Sequence, residues 1–381
     1  MLPLSENVKR IDVSERSQRK TAIPPGAARM DKGEPDFATP AHIAEAAYKA
    51  MKDNFTHYGN AYGDPELREA IAFDIFRDYA VERKPSEVLV TNGGIEAINI
   101  MAGAFLNPGD EVIILDPEYS AYADAVLLFG GVPVLVPLDK NFGLDIEAVE
   151  RKVTPRTKMM MISNPCNPTG RVLKYAELKA LVDLVLRHDM LLIADEVYHK
   201  LTYDDNKHIS VMQFEEIRDR AVLLNSFSKT YAMTGWRVGY ILADSPVINN
   251  AVKFHKSLLT CVSTPSQKAC VAALLGPQDC VEEMRLEYTR RRQLMLKHLK
   301  TIDGIDSLSS EGAFYFYPRF QHDILSKDLV NYMYDRGVLI RSGTEFGANG
   351  EGYFRVAYAA TPEATLENGM IRLKEAFDSL R

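Results

Sequence analysis

Leu191-Leu192-Ile193-Ala194-Asp195, with Glu196-Val197-Tyr198 directly behind it, is an apolar run that ends in an acid. The run shows no alternation of apolar and polar residues, so it reads as a strand buried on both faces, the kind found in parallel sheets covered by helices. In an open sheet of that type the carboxyl ends of the strands line the ligand crevice, which puts Asp195 where function is expected. An acid that caps the following segment explains the residue equally well. Glu196, next along the chain, is expected to point elsewhere.

The same texture recurs on both sides of this run. Residues 87–91, 111–115, 132–137, 158–163, 190–195, 221–226 and 238–243 are short, rich in Val, Ile and Leu, and alternate with helix-period stretches such as 65–79 and 177–187. That order predicts an α/β fold, a large domain whose mostly parallel sheet is sandwiched by helices. Past Thr301 the texture changes to strand candidates at 313–318, 338–341 and 353–358, with one helix between them and one at the C-terminus, a smaller α+β unit. The segment through Phe37 has little periodicity and is expected to pack on that unit, making it discontinuous. Residues 45–283 then form the large domain, and 1–44 with 284–381 the small one. The stretch 279–300 reads as a helix, with Arg290, Arg291 and Arg292 on a solvated face.

Composition narrows the function. The 381 residues carry 45 Lys or Arg against 52 Asp or Glu, a formal charge of −7, which is no footprint for nucleic acid. Cys166, Cys261, Cys270 and Cys280 form no CxxC pair and no secreted-domain framework, so a reducing cytoplasm is the expected compartment. Residues 1–20 lack the apolar core of a signal peptide, and the most apolar run, 126–138, is broken by glycines and a proline. No membrane segment and no metal site are expected.

Chemistry concentrates at four places. Thr91-Asn92-Gly93-Gly94 follows a strand candidate and opens a helix, a turn whose backbone amides suit a phosphate, or simply a tight turn. Asn225-Ser226-Phe227-Ser228-Lys229-Thr230 and Gly235-Trp236-Arg237-Val238-Gly239 offer hydroxyls, a lysine and an arginine that suit a dianionic phosphate beside an amine, or a solvated loop. Trp236 reads as a packing residue. Arg355 lies inside the apolar run Tyr353-Phe354-Arg355-Val356-Ala357-Tyr358, where a guanidinium requires a carboxylate partner, from the protein or from a substrate acid.

Six motifs occur in one order: Gly33-Glu34-Pro35-Asp36-Phe37; Tyr58 with Gly63-Asp64-Pro65-Glu66-Leu67-Arg68; Asn164-Pro165-Cys166-Asn167-Pro168-Thr169-Gly170; Asp195-Glu196-Val197-Tyr198; Ser226-Phe227-Ser228-Lys229; and Gly235-Trp236-Arg237-Val238-Gly239. Together, from about Val13 to Ala359, the chain resembles the class I/II pyridoxal-phosphate aminotransferases of fold type I, related to aspartate aminotransferase. The resemblance implies pyridoxal 5'-phosphate as cofactor and an amino acid and a 2-oxo acid as substrates, used in turn by a ping-pong mechanism. Lys229 looks like the Schiff-base lysine and proton-moving base. Asp195 would pair with the pyridinium nitrogen, and Asn167 and Tyr198 with the ring oxygen. Gly93, Gly94, Ser226, Ser228 and Arg237 would surround the phosphate, with Tyr58 reaching it from a second subunit of a homodimer. Tyr119, in Pro117-Glu118-Tyr119, matches the aromatic that stacks on the ring. Arg355 and Asn167 would take the substrate α-carboxylate, with the Gly33 backbone nearby.

Departures limit the substrate. Ile95 stands where aspartate-type members often carry a lysine for the distal carboxylate, and Ser342-Gly343, preceded by Arg341, stands where the family has Pro-Gly. Arg341 is open between an exposed strand end and a site residue. A C–S lyase or other carbanion enzyme of the same fold is the competing reading, and Ser226-x-x-Lys229 as a serine–lysine acyl-transfer pair is a distant one.

Overall fold

The computed structural model describes residues 4–12 and 23–380, so the expectations for residues 1–3 and 13–22, including the start of the resemblance at Val13, lie outside it. Seven strands form the large sheet: β1 (Val88–Thr91), β2 (Glu111–Asp116), β3 (Val132–Pro137), β4 (Thr157–Ser163), β5 (Leu191–Asp195), β6 (Ala221–Ser226) and β7 (Gly239–Ala243). Their spatial order is β1-β7-β6-β5-β4-β2-β3. Strands β2 to β6 pair in parallel, while β7 runs antiparallel to both of its neighbours.

Successive side chains of one strand enter different cores. Met160 and Ile162 of β4 and Leu192 and Ala194 of β5 face one helical layer, and Met159, Met161 and Ile193 face the other. Burial on both faces removes the need for alternation, which is why these runs read as continuously apolar. Each of the larger of these side chains contributes about 1.5–3 kcal/mol on burial. The reversal of β7 has a second consequence. Ser226 pairs with Gly239, so the loop between them closes on itself and both its ends stand at the carboxyl edge of the sheet.

The second core gathers Met30, Phe314, Phe316, Phe354, Leu366 and Phe377, with Tyr198 and Tyr203 from just past β5. Its sheet orders β8 (Tyr315–Phe316), β10 (Phe354–Ala357) and β9 (Arg341–Ser342), all antiparallel. The strand expected at 338–341 is instead two pieces. Val338–Leu339 pairs in parallel with Ala28–Arg29, and the chain changes sheets at Ile340 before pairing with β10.

The solvated face expected for the arginine run of Asp279–Leu299 is corrected in part. Arg290 is exposed beside Glu287, but Arg291 and Arg292 are each only 4% exposed. Arg291 bonds Asp36 and Glu287 at 2.9 Å each, and Arg292 bonds Asp204 at 2.6 Å. Such carboxylates offset the cost of burying a guanidinium. Asp36 lies 255 residues from Arg291 in sequence, so no local pattern announces the pair.

Candidate active site

The carboxyl ends of β4, β5 and β6 and the turn after β1 open into a cavity of about 260 Å3, whose far wall is the small sheet. Ser226 ends β6 and caps the short helix Phe227–Thr230, its Oγ accepting from the Ser228 amide at 3.0 Å. That helix aims Lys229 across the cavity, where Nζ donates to the Gly33 carbonyl at 2.6 Å. Burial pushes the amine down to about 8, with the Arg355 and Arg237 cations acting the same way and Glu34 and Asp195 opposing. Lys229 and Ser226 therefore bond different groups, and the serine–lysine acyl-transfer arrangement is not formed.

Asp195 is buried at the end of β5, taking a hydrogen bond from the Tyr122 hydroxyl at 3.0 Å and one from the Val197 amide at 3.2 Å. Burial pushes it up to about 6, the state of a carboxylate that lacks a cation of its own. Glu196 does point elsewhere, accepting from the Val211 amide at 2.8 Å.

A third buried acid, Glu118, organises the wall beside them. It accepts from the Tyr119 amide at 2.9 Å, from the Ser163 amide at 3.0 Å and from the Ser163 hydroxyl, which in turn accepts from the Asn167 amide at 3.2 Å. Burial raises Glu118 to about 7. Tyr119 stands edge-on to Tyr122, with ring centroids 5.6 Å apart.

Opposite, Arg355 donates through Nη1 to Asn167 Oδ1 at 2.9 Å and through Nη2 to the Asp31 carbonyl at 2.8 Å, over the Tyr315 ring. The carboxylate partner expected of the protein is not there. Among the described residues no acid pairs with Arg355, and its buried Nε has no partner at all. An anion would offset the cost of burying such a cation. Tyr198 bonds the Tyr315 hydroxyl at 2.7 Å.

The glycine turn closes the third side. Gly93 has φ +80°, and a Cβ there would stand 2.5 Å from Arg237 Nη2, so only glycine lets that guanidinium cover the start of the helix Gly94–Phe105. Gly33 is fixed by contact instead, because a Cβ would run into the Tyr315 hydroxyl.

The cavity thus brings together Gly33, Gly94, Tyr119, Asn167, Asp195 and Tyr198, and with them Ser226, Ser228, Lys229, Arg237 and Arg355. Gly93 stands behind Arg237. Tyr58 is not among them: it is 88% exposed, in a separate surface hollow with Met51 and Thr264. Arg341 is not an exposed strand end; it lies in the cavity wall, bonded to Asp31 at 3.1 Å. Sequence reasoning missed Asp31, Tyr122, Ser163 and Tyr315, none of which carries a motif, while Thr234, in the cavity wall, stands directly before the Gly235-Trp236-Arg237 motif without having been assigned a role. Elsewhere Asp74, Asp78 and His199 approach one another, but Arg77 and Lys200 already pair with the two acids.

Comparison with known proteins adds the family. The description "Aminotransferase class I and II" matches residues 28–373. An aspartate aminotransferase of Pyrococcus abyssi is 42% identical over 90% of each chain. An aromatic-amino-acid aminotransferase of Thermococcus litoralis is 38% identical over 92% of this chain and 91% of its own. The crystal structure of an aromatic aminotransferase from Pyrococcus horikoshii superposes with a TM-score of 0.91 at 38% identity, covering 98% of each chain.

Proposed function

The chain belongs to the class I and II aminotransferases and works with pyridoxal 5'-phosphate, and from that premise we propose that this cavity transfers the amino group of an L-amino acid to a 2-oxo acid, with Lys229 as its central amine. The observation that carries the reading is the meeting of three buried groups in one cavity: the Lys229 amine, the cation-free Asp195 and the Arg355 guanidinium with an unpartnered Nε.

The residues fit the cofactor. Asp195 is a buried acceptor that a protonated ring nitrogen would satisfy, and the glycine turn under Arg237, with the Ser226 and Ser228 hydroxyls, suits a phosphate. Asn167 and Tyr198 would bond the ring oxygen, and Tyr119 would stack on the ring, all three lining the cavity. When bound, the cofactor supplies the electron sink that stabilises negative charge at the substrate Cα. Lys229 would hold it and would serve as the base at the substrate Cα; an amine lowered to about 8 is unprotonated to roughly a tenth at pH 7, far more than an ordinary lysine. Arg355 grips the α-carboxylate with Asn167, filling its free Nε, while the Gly33 carbonyl orients the Lys229 amine. Donor and acceptor use the same cavity in turn, which gives ping-pong kinetics. The relatives are named for amino transfer, which disfavours the C–S lyase.

A homodimer belongs to the same proposal. Exposed Tyr58 lies among exposed Met51 and Phe55, and Arg237 is open to solvent, so a second copy that brings its Tyr58 over Arg237 would complete the phosphate wall. A fully active monomer in sedimentation would refute this. Among the described residues no helix is long and apolar enough to cross a membrane. The four free thiols support a reducing, cytoplasmic setting.

The test is reductive trapping. Borohydride treatment of the purified enzyme should leave a phosphopyridoxyl group on the peptide containing Lys229, and an amino acid alone should shift the absorption until a 2-oxo acid restores it. A label on another lysine, or pyruvate and ammonia accumulating without a shift, would overturn the reading.

A further inference from the structure

Strands β9 and β10 pair in a register that sets Arg341 directly opposite Arg355. Residues so opposed send their side chains to the same face, with Cβ atoms roughly 5 Å apart, and like charges in that relation repel unless anions intervene. Arg355 meets only neutral oxygens. Arg341 meets Asp31, through Nη2 at 3.1 Å to the carboxylate and Nε at 3.3 Å to the carbonyl, with Glu345 at 4.0 Å. Asp31, however, is already held through both oxygens by Arg29, at 2.7 and 3.2 Å. Arg341 is thus a second claimant on a carboxylate that keeps a two-point partner without it. Both guanidinium groups belong to the wall of one cavity. Side by side, they match two carboxylates on one small molecule.

We propose that Arg341 determines specificity by receiving the distal carboxylate of a dicarboxylic amino acid or 2-oxo acid whose α-carboxylate lies on Arg355, leaving Asp31 to Arg29. The inference rests on the reading of Arg355 given above. Asp31 and the substrate then compete for one guanidinium, and the outcome sets how strongly the enzyme prefers acidic over neutral side chains. Ile95, in the phosphate turn, supplies no charge for that role, so the small sheet does.

The experiment compares kcat/KM for aspartate and glutamate with that for alanine and phenylalanine in the wild type, Arg341→Met, Arg341→Lys and Asp31→Asn. Loss of a charge-assisted hydrogen bond predicts that the dicarboxylate-to-neutral ratio falls about 10- to 100-fold in Arg341→Met, through KM more than kcat. Arg341→Lys, a point charge without the fork, should restore part of the ratio, and Asp31→Asn should raise it. A second readout needs no turnover. Succinate should raise the melting temperature of the wild type more than butyrate does, and Arg341→Met should erase that difference. An unchanged ratio in Arg341→Met, an equal fall for acidic and neutral donors, or a wild type that accepts only neutral donors would each overturn the proposal. A wild type that transaminates none of the four donors would instead refute the reading of the site, and the succinate comparison would still decide whether Arg341 holds a second carboxylate.

Discussion

Along and behind the large-sheet wall of the cavity, Glu118 and Asp195 are buried with amides and hydroxyls as partners, whereas along and behind the small-sheet wall Arg355, Arg341 and Arg29 meet Asp31 and neutral oxygens. The first wall stores proton affinity. Its two acids are raised by burial to about 7 and 6, so each sits near the point where it exchanges a proton or accepts a cation. The second wall stores fixed positive charge, because a guanidinium does not deprotonate in a protein. The pairing of a titratable wall with a permanent one suits a reaction that moves protons on a substrate held by its anionic end. Lys229, projecting from the first wall to the Gly33 carbonyl of the second, joins the two.

The contrast is broken most severely at that junction. Lys229→Ala should cut amino transfer by roughly 10^4-fold, in line with the loss of a proton-moving base and covalent anchor, while the variant still binds the cofactor. Single-turnover absorbance checks it, and transfer within tenfold of the wild type would remove Lys229 from its role. The permanent wall comes next. Arg355→Gln should lower kcat/KM by about 10^2- to 10^3-fold, chiefly through KM, since a buried charged contact to the α-carboxylate is lost. An unchanged KM would place the α-carboxylate elsewhere.

How much of this was legible in the sequence differs between the walls for the same physical reason. Asp195 and Ser226 end runs buried on both faces and Lys229 follows three residues on, so strand texture put them at the carboxyl edge of the sheet, and the ordered motifs suggested their roles. The acids of the small wall follow no such rule. Asp31 lies 310 residues from Arg341 and 324 from Arg355, and the contact is set by how the N-terminal segment packs on the second core. Arg291 and Arg292 were misread for the same reason. The break of 338–341 between two sheets was equally hidden, because two short pairings, each satisfied by a different neighbour, leave one apolar run in the sequence.

The glycine turn between the walls offers a smaller effect. Gly93 adopts φ +80°, ψ 172°, a region closed to residues with a Cβ at a cost of about 3 kcal/mol. Gly93→Ala must also move Arg237, whose Nη2 would stand 2.5 Å from the new carbon. Weaker cofactor binding with a lowered melting temperature is expected in equilibrium titration and thermal melts. An unaffected dissociation constant would separate the turn from the phosphate.

The finest test asks whether the titratable wall is titratable. Glu118 has its ordinary value of 4.5 when unfolded and about 7 when folded. Its folded value is raised, so the native state binds the proton more tightly. The stability it contributes is full below about 4.5 and is lost as pH rises through about 7. That interval sets a ceiling near 3 kcal/mol, and relaxation around the charge brings the expectation to on the order of 1–2 kcal/mol. Glu118→Gln cannot ionise, so its stability should fall less than that of the wild type between pH 5 and pH 8. Denaturant melts of both apo-proteins at those two pH values measure the difference, and the shifts of Glu196, His199 and His208, in which Glu118 takes no part, cancel. Parallel stability curves would mean that Glu118 is already ionised throughout, held by the Ser163 and Tyr119 amides strongly enough to offset its burial. The large-sheet wall would then carry fixed charge at that position, as the arginine wall does.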